Sequence, residues 1–163
     1  MLKTVKGAGG LGTRLVAARR IPMGTAFFHL RTDRVRRHPT YQTVQIGLRR
    51  HVLSLGILQY INHSCEPNVI IDTKRRVCYA AREIQPREEL NYFYPSTEWE
   101  MARPFLCLCG VAHCIRIVTG ARYLSTDTLS RYFINEHIRE LMVRELSAAS
   151  RRRQAQLRSA AKL

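Results

Sequence analysis

The feature that most restricts this chain is the run Cys107-Leu108-Cys109-Gly110-Val111-Ala112-His113-Cys114. Two thiols one residue apart, with a third five positions on past a glycine, can wrap a single ion, and tetrahedral zinc takes four soft ligands. The run supplies three, and Cys65, Cys78 and His113 are the residues that can complete the set. Cys78 stands between Val77 and Tyr79 in an apolar run and reads as a core residue. Cys65 lies in a polar loop beside Glu66-Pro67 and is the better ligand, giving Cys65, Cys107, Cys109 and Cys114. Four thiolates leave no open coordination position, so the zinc is expected to be structural.

The five cysteines are an odd number, and Met1 to Gly7 contains no hydrophobic stretch of the kind a secretory signal carries. A reducing compartment, nuclear or cytoplasmic, is therefore expected, and metal binding outweighs a disulfide framework. No apolar run approaches the ~18 residues of a membrane span, so no membrane partner is expected. The 163 residues suit one folded unit, and the net charge of +15 is unevenly spread. Residues 1–60 hold 11 Lys/Arg against a single acid, Asp33, and residues 147–163 hold 5 bases and no acid, while the middle is balanced. Basic flanks of this kind read equally as an attraction for polyanions, with non-specific nucleic acid as the partner, or as an Arg-rich composition kept for solubility.

Along the chain, Gly7-Ala8-Gly9-Gly10-Leu11-Gly12 marks a tight backbone segment. Pro22-Met23-Gly24 follows too soon for the helix a dinucleotide fingerprint requires. Tyr41 to Gly47 is rich in β-formers and reads as a strand, and His51 to Ile61 as a buried strand or short helix. Val69–Asp72 and Val77–Ala81 flank a basic turn and predict a hairpin; Asn91 to Tyr94 predicts an aromatic strand. Helix formers dominate Thr126 to Leu146, with Ile134, Ile138, Leu141 and Met142 on one face and Thr126-Asp127 as the cap. The Arg/Ala/Ser-rich tail beyond Ser147 is expected to fray.

Three motifs recur in one order: Asn62-His63-Ser64-Cys65-Glu66-Pro67-Asn68, then Glu88-Glu89-Leu90-Asn91-Tyr92-Phe93-Tyr94, then the cysteine run. In that order and at these separations, the chain resembles the SET-domain protein-lysine methyltransferases with a post-SET zinc segment, over roughly residues 5–124. The resemblance implies a mainly β SET fold of small sheets with a pseudoknot (residues 1–105), a post-SET zinc segment (106–124), and a C-terminal helix with basic tail (125–163). It implies methyl transfer from S-adenosylmethionine to a lysine of a protein substrate such as a histone or nucleosome. Gly10, Leu11, Gly12, Asn62, His63 and Tyr94 would bind the cofactor, and Phe105 and Leu108 would cover its adenine. Tyr94 matches the catalytic tyrosine, Tyr41 the second tyrosine of the lysine channel, and Tyr92 the position that sets product degree; a tyrosine there implies mono- or dimethylation. The family's zinc takes three post-SET cysteines plus the cysteine of the Asn-His-Ser-Cys motif, in agreement with the ligand count above.

The chemistry needs alignment more than a strong base. A sulfonium methyl is already electrophilic, and the lysine, with an ordinary pKa of ~10.4, must arrive neutral through a dehydrating aromatic channel. Three departures from the family stand out: Phe93 replaces the usual Asp before the catalytic tyrosine, the stretch from Gly12 to Ile21 is about two residues longer than usual, and no cysteine-rich segment precedes the domain. Phe93 and the irregular glycine loop leave a catalytically silent, basic chromatin- or nucleic-acid-binding adaptor as the alternative. A cysteine hydrolase using Cys65 and His63 is the remote third reading, because a metal-held thiolate is not free to attack. Glu98 and Glu100 read equally as partners for a basic peptide or as a solvated loop.

Overall fold

A computed structural model describes residues 1–6, 12–31, 34–53 and 56–160. Strands β1 (Leu2–Lys6) and β2 (Thr13–Ala17) pair antiparallel on either side of the glycine segment. Gly10 and Leu11 lie outside the described residues. Gly12 enters β2 with φ +61°, a left-handed conformation that glycine takes without a Cβ penalty, and the space where a Cβ would stand is open. Leu15 and Ala17 of β2 are fully buried, and the strand is held by Leu90 N–H on Leu15 O (2.8 Å) and Arg87 N–H on Ala17 O (2.8 Å).

The chain continues through β3 (Ala26–His29), β4 (Val35–Arg36), β5 (Thr43–Gly47) and β6 (Arg50–Leu53) into a 3-10 turn at Gly56–Tyr60. The strand predicted from Tyr41 thus begins at Thr43, whose hydroxyl donates to Thr40 O and accepts from Thr40 N–H, tying 40–43 into a turn instead. The ambiguous His51–Ile61 run is both things: the end of a strand, then a short helical turn that buries Leu58. Then come β7 (Asn62–His63), β8 (Val69–Asp72), β9 (Val77–Ala80) and β10 (Asn91–Tyr92). The predicted hairpin is β8–β9, in register from Val69↔Ala80 to Asp72↔Val77. Its turn is set by Asp72, whose Oδ1 accepts from the N–H groups of Lys74 and Arg75, with Arg76 left-handed behind it (φ +59°).

Two three-stranded sheets result, ordered β3-β9-β8 and β4-β6-β5. The pair that matters most is small and parallel: β7 lies beside β10 with Asn62 opposite Asn91 and His63 opposite Tyr92. Parallel neighbours need a long crossover, here residues 64–90, and this crossover sets two distant motifs side by side. The final pair, β11 (Phe105–Leu106) with β12 (Ile117–Val118), brackets the cysteine run.

The predicted C-terminal helix is two helices. α1 (Thr126–Ser130) is capped by Ser125, whose Oγ accepts from Thr128 N–H at 3.1 Å, so the cap stands one residue earlier than predicted. The chain then breaks before α2 (Glu136–Ala160). Asn135 explains the break: its amide donates to Ile71 O and Ser96 O and its Oδ1 accepts from Thr73, so the side chain is committed to the sheet region. α2 runs on to Ala160 where fraying was expected, in a sequence of good helix formers. Phe93, predicted as part of an aromatic strand, instead packs with Ala121, Leu129, Ile134 and Ile138 in a cluster that joins the helices to the domain.

Candidate active site

β7 and β10 converge on Tyr94, which opens a 3-10 turn through Ser96. The Tyr94 hydroxyl donates to Ile61 O at 2.9 Å, and its main-chain N–H donates to Nδ1 of His63 at 3.2 Å. That bond places the ring proton of His63 on Nε2, which faces Cys65 Sγ at 3.4 Å. Burial drives the pKa of His63 down to about 4, so the ring is neutral at physiological pH. Phe105 stands edge-on to both rings, with centroids 5.9 Å from Tyr94 and 6.0 Å from His63. Burial likewise holds the Tyr94 phenol well above its ordinary range, leaving a neutral hydroxyl.

The sulfurs of Cys65, Cys107, Cys109 and Cys114 all lie within 4.8 Å of one another. Cys65 is 3.9 Å from Cys107 and 4.0 Å from Cys114. Four thiolates about 2.3 Å from a tetrahedral zinc would stand about 3.8 Å apart, so the donor set fits the ion. The other two candidates are resolved by position. Cys78 is sealed in β9, and His113 turns its Nε2 to Cys65 O at 2.8 Å. Cys65 is fully buried within the thiol cluster, which disqualifies it as a free nucleophile.

Beside Tyr94 opens a cavity of about 410 Å³, walled by Tyr41, Tyr60, Tyr92, Tyr94 and Phe105. Tyr92 is buried within 4.7 Å of the Tyr94 ring. Tyr41 sits at the rim, 66% exposed, under the guanidinium of Arg103 at 4.7 Å. Phe105 is 38% exposed and reaches the cluster; Leu108, at 85%, points away from it into solvent. Glu98, whose burial could not be read from the sequence, lines this cavity at 5% exposure. Glu100 is instead exposed and held by Arg122 and Tyr123.

A SET-domain family model matches residues 12–95. The chain belongs to the SET-domain family. It is 32% identical over 143 residues to the methyltransferase flvH of Aspergillus flavus, covering 86% of this chain and 80% of that protein. It is 46% identical over 66 residues to the H3 lysine-4 specific histone-lysine N-methyltransferase of Emericella nidulans, but that stretch is 36% of this chain and 5% of the relative. Among solved structures, KRYPTONITE in complex with mCHG DNA and SAH superposes with TM-score 0.59 and 25% identity, over 71% of this chain and 28% of that one. The methyltransferase domain of human SETMAR superposes with TM-score 0.55 over 73% and 58% respectively, at 19% identity, a likeness of fold. The family and the flvH relative mark the chain as a methyltransferase.

The region around Asn62 and Arg14 has unfilled polar capacity. Asn62 Nδ2 donates to Glu89 Oε1 at 2.8 Å and Arg14 approaches Glu89 Oε2 at 3.4 Å, while Arg14 Nε and Asn91 Oδ1 are buried without partners. Arg14 Nε, two residues from Gly12 in β2, and Asn91 Oδ1, across the β7–β10 pair from Asn62, are groups that a polar ligand such as S-adenosylmethionine could satisfy. The Asp-to-Phe departure has its explanation as well: Phe93 stacks on Tyr132 with centroids 3.7 Å apart and planes 5° from parallel. The Tyr132 hydroxyl then donates to Cys65 O at 2.8 Å.

Proposed function

We propose that this SET domain transfers a methyl group from S-adenosylmethionine to the ε-amine of a lysine in a protein, adding one or two methyls. The observation that carries this reading is the position of Tyr94, at the meeting of His63, Phe105 and the aromatic cavity. When bound, the cofactor supplies an electrophilic methyl. Asn62, His63 and the Gly12 backbone would hold it, and Phe105 would cover it. The aromatic walls strip water from the entering amine and favour its neutral form. The Tyr94 hydroxyl, fixed on Ile61 O, gives the reacting end a defined edge. Tyr92 narrows the cavity beside Tyr94 and supports the lower degrees of methylation.

The four cysteines would hold a structural zinc that keeps β11 and β12 closed over His63 and Tyr94, in a chain organised as SET domain, zinc segment and helical tail. The relatives that act on histone H3 and the Arg-rich flanks support a histone or nucleosome substrate with salt-sensitive phosphate contacts, in nucleus or cytoplasm. Tritiated methyl transfer onto core histones, nucleosomes and ribosomal proteins tests the reading. Label on a lysine, lost in Tyr94→Phe with SAH binding retained, is the expected result. Label on none of these proteins, with zinc and cofactor bound, would favour the silent adaptor. A dominant trimethyl product by intact mass would overturn the assignment of Tyr92.

A further inference from the structure

Glu98 is a carboxyl group on the wall of an aromatic cavity, where an unpaired charge is costly unless something needs it. Its setting is built rather than incidental. Oε1 accepts from the Gln45 N–H at 2.8 Å and from the Thr97 hydroxyl at 3.2 Å. Gln45 returns the contact, its side-chain oxygen accepting from Trp99 N–H at 2.9 Å while its amide donates to Gly47 O. Behind the carboxyl, His137 of α2 holds Thr97 O at 2.9 Å, and Ala121 N–H holds Glu98 O at 2.9 Å. Every one of these bonds uses Oε1 or the backbone. Among the described residues Oε2 takes none, and no Lys, Arg or His there pairs with the carboxylate.

We propose that Glu98 is a catalytic residue of this pocket: its free oxygen receives the ammonium end of the incoming amine and takes one proton from it. The inference rests on the cavity beside Tyr94 being the amine's entry route. The ammonium forms a charge-assisted hydrogen bond to Oε2, which selects a cationic amine over a neutral side chain of similar length. Transfer of one proton then leaves a neutral amine and a neutral carboxylic acid, freeing the nitrogen lone pair that takes the methyl. The methylated product carries the positive charge away, and the proton on Glu98 returns to solvent through the cavity mouth. Desolvation, opposed only by the Gln45 and Thr97 hydrogen bonds, lifts the pKa of Glu98 to about 7, a value suited to passing a proton at physiological pH.

The groups around it leave that role to Glu98. Tyr92 and Tyr94 stay neutral phenols, with burial their foremost cause. Tyr60 also lines the cavity, Tyr41 stands exposed at its rim, and Arg103 is engaged over the Tyr41 ring. His137 has its Nε2 on Thr97 O, and His51 lies across the β5–β6 pair from Gln45; burial lowers both pKa values.

The test uses calorimetric binding of two adenosyl amino-acid analogues to the full zinc-loaded chain. In one, the methyl position carries a four-carbon arm ending in an ammonium; in the other, the same arm ends in a methyl. At pH 8 the ammonium arm is expected to bind about tenfold tighter, the scale of one charge-assisted hydrogen bond. That advantage should disappear below pH 6 and in Glu98→Gln, which keeps an acceptor for the Gln45 N–H. Affinity for SAH should stay within about twofold in the same variant. An ammonium preference that survives in Glu98→Gln, or one that is absent from the wild type while SAH still binds, overturns the role of Glu98 alone. Failure of the wild type to bind SAH or either analogue overturns the methyl-donor reading together with it. Should the variant not fold, the wild-type pH titration decides by itself, because a pH-independent preference removes Glu98 as the partner.

Discussion

The main-chain N–H of Tyr94 donates to the ring of His63 at 3.2 Å, and the opposite nitrogen of that ring faces Cys65 Sγ at 3.4 Å. One buried, neutral imidazole thus stands between the cysteine cluster and the residue at the centre of the pocket. A thiol of the metal-binding cluster contacted by a histidine that also accepts from the Tyr94 main chain would couple metal occupancy to the geometry around Tyr94.

Removal of zinc should therefore cost more than local order. Cys65→Ser is expected to abolish stoichiometric zinc, read by elemental analysis, and to loosen residues 105–118, read by hydrogen exchange. Structural zinc sites contribute about 10 kcal/mol or more to the folding of their segments, so activity should fall to background. Unchanged zinc content in this variant would remove Cys65 from the ligand set.

Tyr94→Phe deletes the hydroxyl held on Ile61 O while leaving the ring packed against Phe105. Turnover on the protein returned by the methyl-transfer panel should fall roughly 100-fold, with KM and SAH affinity nearly unchanged, as when one positioned polar group is lost.

Tyr92→Phe removes a hydroxyl from a buried position 4.7 Å from the Tyr94 ring. Intact-mass analysis of product should show a shift towards higher methylation with little change in the first transfer. An unaltered product distribution would detach Tyr92 from control of degree.

Phe93→Ala breaks the stack on Tyr132 and empties a fully enclosed site between sheet and helices. A loss of about 3–5 kcal/mol is expected, visible as a fall in Tm of some 10 °C. Restoring the family's usual acid with Phe93→Asp should be worse than alanine, because it buries a carboxylate among apolar residues.

Glu98 makes stability depend on pH in an unusual direction. Its folded pKa of about 7 exceeds the ordinary 4.5, so between these values the native state holds more protons than the unfolded chain. Stability should fall as pH rises from 4.5 through 7, by on the order of 3 kcal/mol from this group. Glu98→Gln should flatten that slope in chemical denaturation at pH 5 and pH 8, giving a variant more stable than wild type at pH 8 and less active.

What the sequence discloses follows the range of the interactions. The four zinc cysteines are legible because three are close neighbours and Cys65 sits in a polar motif, unlike Cys78 between Val77 and Tyr79. The β8–β9 hairpin is legible because its turn is local to Asp72. Asn135 is not, since its partners Ile71, Thr73 and Ser96 are far off in the chain and its own neighbours read as helix. Glu98 and Glu100 are alike in sequence, and only contacts with Gln45 for one and Arg122 and Tyr123 for the other separate a cavity wall from a surface loop. The one available signal was the nearness of Glu98 to Tyr94. Leu108 shows the reverse case, an apolar residue inside the zinc run that the fold leaves in water.

The stack of Tyr132 on Phe93, with the Tyr132 hydroxyl bonded to Cys65 O, makes the helical end of the chain a buckle rather than a tail. A shortened protein ending after Ser125 would keep every residue assigned to chemistry and still lose the fastening that keeps them together. Fragment boundaries drawn from the family match alone, which stops at residue 95, would cut through the joint.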